Sequence, residues 1–115
     1  MPLIETAELE MVGDVPLSER PRSVKSILET EFSKAISVVL RDGEVLSRHL
    51  SAEPISVLCL GGKGTFLAGE KLEEATSLSP GVLLTLDAGV FHEVRSEPGL
   101  YFLLTKFKRT DNIVR

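Results

Sequence analysis

From Arg41 onward the chain is cut into short pieces. Glycine and proline clusters recur at RDGE (41–44), LGGKGT (60–65), LAGEK (67–71), LSPGV (78–82), DAGV (87–90) and SEPGL (96–100), about every 8 to 12 residues. Glycine supplies positive φ and proline a fixed φ, so each cluster reads as a turn between regular elements. This rhythm is that of an all-β sandwich or barrel. The Asp-Gly pair of RDGE is of the kind that favours a hairpin. LGGKG is not a phosphate loop, because it is too short and lacks the Gly-Lys-Ser/Thr ending.

The segments between the turns read as strands. EVLSRHLS alternates, with Val45, Ser47, His49 and Ser51 on one face and Leu46, Arg48 and Leu50 on the other. PISVLCL and VLLTL are short apolar runs, expected to be buried on both sides. KLEEATSL suits a partly exposed strand, and LYFLLTKF (100–107) is long and rich in leucine and aromatics. SVKSILETEFSKAISVVL is ambiguous. Val24, Ile27, Leu28, Phe32, Ala35, Ile36 and Val39 fit a helical stripe, but the β-branched run ISVVL and the all-β setting favour two strands.

Composition narrows the function classes. The chain of 115 residues is one domain, with a hydrophobic fraction of 43% and a charged fraction of 26%. A net charge of -4 gives no footprint for nucleic acid. The basic end TKFKRTDNIVR is interrupted by acid and reads as a solvated tail. No apolar run reaches roughly 18 residues, so no membrane span is expected. MPLIETAELE lacks the basic flank and apolar stretch of a signal peptide, and a cytoplasmic location is expected. Cys59 is the lone cysteine; it sits among apolar neighbours and reads as a packing thiol.

The two histidines, His49 and His92, fall on a pattern. Gly43 is followed by five residues and then His49. Gly81 is followed by five residues, Asp87, one residue, Gly89, two residues and His92. Over roughly residues 32 to 107 this order resembles the two motifs of the cupin superfamily. The gap between the motifs, from Gly62 to Gly81, is of ordinary cupin length. The resemblance implies a small double-stranded β-helix, or jelly-roll barrel, over residues 31–110. It also implies an N-terminal arm over residues 1–30, packed on the barrel or across a homodimer interface. His49 and His92 are then expected to enter the lumen, and Gly89 to hold positive φ in the turn before His92.

In cupins two histidines and a glutamate of the first motif and a histidine of the second hold one metal ion. Here Ser51 stands where the second histidine would be, Ile55 where the glutamate would be, Asp87 replaces the proline of the second motif, and Ser96 its asparagine. Glu53 is out of phase with Ile55, and Glu93 should face away from the lumen. Three roles for the histidine pair stay open. His49 and His92 hold a divalent metal (zinc, nickel, manganese or iron) with water completing the shell. Alternatively, His49, Ser51 and His92 line a metal-free pocket for a small polar ligand. Or the pair is structural. Two function classes follow: a ligand-binding barrel, with or without a weakly held metal, and a metal-dependent enzyme of isomerase or dioxygenase type acting on a small molecule. With no helix pair for DNA, the chain is not expected to be a complete regulator by itself.

Overall fold

A computed structural model gives the architecture and describes residues 3–9 and 16–108. The basic tail beyond Lys108 lies outside the described residues. Seven strands run β1 (Ser23–Glu29), β2 (Ser33–Leu40), β3 (Val45–His49), β4 (Ile55–Ala68), β5 (Glu74–Leu78), β6 (Leu83–Leu86) and β7 (His92–Phe107), preceded by a 3-10 turn at Leu17–Glu19. Every pairing is antiparallel.

The ambiguous segment forms two strands, β1 and β2, joined by a turn at Thr30–Ser33. There the Thr30 hydroxyl accepts the amides of Phe32 and Ser33 at 3.1 and 3.0 Å. Its helical stripe fails because the register is set by tertiary pairing, with β2 bonded along its whole length to β7. Because β1 begins at Ser23, the span read as an N-terminal arm ends in a strand of the main sheet.

Two of the expected turns are not turns. LGGKGT lies inside the 14-residue β4, and SEPGL inside the 16-residue β7. β4 and β7 pair with each other almost throughout, from Ile55–Lys106 to Ala68–His92, with register shifts between Cys59 and Gly61 and between Gly62 and Gly64. These shifts mark a corner. Below it β4 and β7 belong to one half, β1-β2-β7-β4-β6; above it they belong to the other, β3-β7-β4-β5. Glycine is required there for close approach as well as for its backbone. A Cβ on Gly62, whose φ is +77°, would collide with the carbonyl oxygen of Gly99, and one on Gly64 with that of Arg95. Sequence punctuation alone does not separate a glycine that ends a strand from one that bends it.

The inner faces of both halves share one core. Val38, Leu40, Ile55, Val57, Cys59, Leu100 and Phe102 come from the first half, and Phe66, Ala68, Leu78 and Val94 from the second. Burial pushes the Cys59 thiol pKa up, in keeping with a packing role. VLLTL departs from expectation: Leu83 is 67% exposed, and the strand alternates rather than being buried on both sides. On the outer face of the first half, Val39 and Tyr101 are paired and buried, with the Arg20 guanidinium 5.0 Å from the Tyr101 ring centre.

The Asp-Gly turn forms as expected. Asp42 and Gly43 both have positive φ, and the Glu44 amide bonds the Arg41 carbonyl at 2.9 Å. It does not make a hairpin, however. β2 and β3 bond to different parts of β7 and not to each other, so this turn carries the chain from one half to the other.

Candidate functional site

The site is built where β3 meets the start of β7. β3 is anchored at both ends. The Ser96 amide and hydroxyl both donate to the Glu44 carbonyl, at 3.0 and 2.7 Å, and the Gly89 amide donates to the Ser51 carbonyl at 2.8 Å. The DAGV turn is thus tied to the chain just past β3. Gly89 holds φ +77°, as expected, with open space where a Cβ would lie.

Between these anchors the pairing is irregular. Val45 lies opposite Arg95 and Leu46 opposite Val94, but His49 lies opposite His92, so β3 carries one extra residue. This bulge corrects the expected face. Strict alternation would have put His49 with Val45 and Ser47, facing the lumen. Instead Leu46 packs against the core, Val45 is exposed, and the bulge brings His49 onto the face of Leu46 and the buried His92.

The two imidazoles meet with ring centres 4.2 Å apart at 59°. His92 is 2% exposed and stacks parallel on Phe66 at 5.6 Å; His49 is exposed. Each Nδ1 faces a backbone carbonyl, that of Ser47 at 2.6 Å from His49 and that of Val90 at 3.1 Å from His92. A carbonyl only accepts, so Nδ1 carries the proton in both neutral rings, and each Nε2 keeps its lone pair. Desolvation pushes the His92 pKa below the ordinary histidine value. The Val90 carbonyl opposes this, while the charges of His49 and Lys106 reinforce it.

Of the side chains nearby in sequence, Ser51 was expected beside the rings, Glu93 and Arg48 away from them. The Ser51 hydroxyl accepts the Glu53 amide at 3.1 Å. Glu93 receives the Arg95 Nε at 2.6 Å. Arg48 is exposed, as expected, with its guanidinium 3.6 Å above the Phe91 ring. Phe66 could not be found from sequence, because its place beside His92 comes from cross-strand pairing.

A cavity of about 570 Å³ lies on the neighbours of His92 and has neither histidine in its lining. It is lined by Ala68, the cross-strand partner of His92, by Val90, and by Glu73, Glu74 and Asp87. A smaller one, about 70 Å³, continues to Phe66, again with neither histidine in its lining. The corner holds another cavity, about 390 Å³, lined in part by Leu17, Arg41, Lys63 and Gly99 and by neither histidine.

A resident ion held by four side chains does not fit these residues. Ile55 is sealed in the core at 1% exposure, Ser51 is committed to its turn, and among the described residues no three His, Cys, Asp or Glu side chains gather at one point.

No protein-family model and no curated protein matches the sequence. Solved structures do match by shape. An RmlC-like cupin family protein with a double-stranded β-helix fold from Methanocaldococcus jannaschii superposes with a TM-score of 0.74 at 16% identity, covering 93% of each chain. A cupin superfamily protein from Desulfitobacterium hafniense gives 0.74 at 15% identity, over 93% of this chain and 95% of that one. An RmlC-like cupin from Desulfovibrio desulfuricans gives 0.72 at 19%, over 90% and 97%. The chain has the cupin fold. The two halves joined by β4 and β7 are the two sheets of the cupin double-stranded β-helix, and His49 and His92 lie in its upper half. No helix among the described residues is long and apolar enough to cross a membrane.

Proposed function

We propose that this cupin barrel binds a small polar molecule at the mouth formed by His49 and His92, acting in the cytoplasm as a homodimer. One observation carries the reading. Two imidazoles lie 4.2 Å apart, each with its proton held at Nδ1 by a backbone carbonyl, so two acceptor nitrogens are left for a ligand. The depressed pKa of His92 keeps one of them neutral at physiological pH. A cavity of about 570 Å³, bordered by Ala68 and Val90, which pair with and hydrogen-bond His92, is of the size that small-molecule sites occupy. Ser51 stands at the edge of this site through its carbonyl, which fixes the Gly89 turn.

The tautomers also favour a second reading, a weakly held divalent ion on the two Nε2 atoms, since Nδ1–H donation to a carbonyl is the usual arrangement of a metal-ligating histidine. Two side-chain donors leave most of the shell to water, so the expected affinity is low. A metal-dependent isomerase or dioxygenase would need donors beyond these two.

Calorimetric titration of metal-stripped protein with zinc, nickel, manganese and iron(II), followed by a screen of small polar metabolites, tests both readings. Ligand binding without metal, lost in both His49→Ala and His92→Ala, supports the first. One metal site per chain, lost in the same variants, supports the second. Binding unchanged in both variants would reject the site.

A further inference from the structure

We propose that Arg48 is the positioning residue that holds the histidine pair together. The bulge decides whether His49 meets His92. Continuing the Val45–Arg95 and Leu46–Val94 pairing without it would set Arg48 opposite His92 and His49 opposite Phe91. The anchors at Glu44 and Ser51 would not need to move, because the Glu44–Ser96 and Ser51–Gly89 bonds fit that straight register. β3 therefore has two ways to run between fixed ends. In one, His49 turns in and Arg48 turns out; in the other they exchange.

Arg48 is fastened on the outside. Its Nε and Nη2 both donate to the Glu70 carbonyl, at 3.2 and 2.9 Å, and its guanidinium lies 3.6 Å above the ring of Phe91, the residue just before His92. This ties the extra residue of β3 to two segments outside that strand, the loop after β4 and the approach to β7. Among the described residues β3 bonds to no strand but β7, so its middle has no second neighbour to fix it. A planar cation suits the task, since it stacks and makes two bonds to one oxygen at once, which an ammonium does not. The tether favours the bulged register and so keeps the imidazoles in contact.

The tether sets the geometry of the pair whether or not the pair binds anything. Proton NMR reads it directly. Rings 4.2 Å apart give a nuclear Overhauser effect between His49 and His92, and the Phe66–His92 stack, set by β4 and β7 alone, serves as the internal control. In Arg48→Ala the His49–His92 effect is expected to fall several-fold while the Phe66–His92 effect stays. Should Arg48→Ala fail to fold, Arg48→Lys keeps length and charge without the planar fork, and Phe91→Leu removes the stacking ring; each is expected to weaken the His49–His92 effect. Full intensity of that effect in a folded Arg48→Ala protein, or in both Arg48→Lys and Phe91→Leu, would overturn the proposal. Loss of ligand or metal binding in His49→Ala bears on the proposed function and leaves this one untouched.

Discussion

His92 is buried against Phe66, and a charged ring there would give up most of its hydration. Its folded pKa is below the ordinary value of 6.5, so as the pH falls below 6.5 the unfolded chain takes up a proton that the folded chain does not. Stability is therefore full above that value and is lost progressively as the pH falls toward the lowered folded pKa. Urea unfolding between neutral pH and pH 5 should show this decline, and His92→Leu should flatten it. Gly89 offers a purely conformational test. With φ +77° and open space at its Cβ position, Gly89→Val is expected to cost more than about 1 kcal/mol from backbone strain alone, and Gly89→Ala less. A neutral Gly89→Val in thermal unfolding would contradict the strained turn.

Among the elements, the two long strands show how far the sequence could be read. Strand content was legible in alternation and turn spacing, and both histidines were found from their distances to Gly43 and Gly81. What stayed hidden depends on contacts far apart in the chain. LGGKGT has the composition of a turn, but Gly62 and Gly64 bend a continuous strand because the backbone at Gly99 and Arg95 comes too close for any side chain. His49 was expected in the lumen and does meet His92, but by way of a bulge that no local pattern announces. Ser51 was expected beside the rings, and its hydroxyl accepts the Glu53 amide two residues on. The corner gives a clear prediction. Gly62→Ala combines positive φ with a collision against Gly99 and should cost more than about 2 kcal/mol in denaturant unfolding. Gly81→Ala, with φ +96° and free space, should cost about half as much.

For the molecule as a whole, assembly and folding follow from what covers the sheets. Glu8, Leu9 and Arg20 line a cavity of about 270 Å³ together with Val39 and Tyr101, so the N-terminal segment shelters the outer face of the first sheet, while Leu3 and Ile4 remain exposed. We expect a two-fold dimer by light scattering at micromolar concentration, and a loss of about 1 kcal/mol or more, or of the dimer, on deletion of residues 1–16.

β7 has a consequence for biosynthesis. It bonds to β2, β3 and β4, yet among the described residues it is the last strand to leave the ribosome. Until Phe107 has emerged, β2 lacks its main neighbour and the lower part of β4 stands open beside an unpaired edge, whereas β3 finds its partner as soon as His92–Arg95 is available. Such edges recruit other chains. A chain terminated after Ser96 should therefore show no cooperative unfolding transition and collect in the insoluble fraction. Much of the sheet pairing should form in one late step, once Phe107 is free to pair.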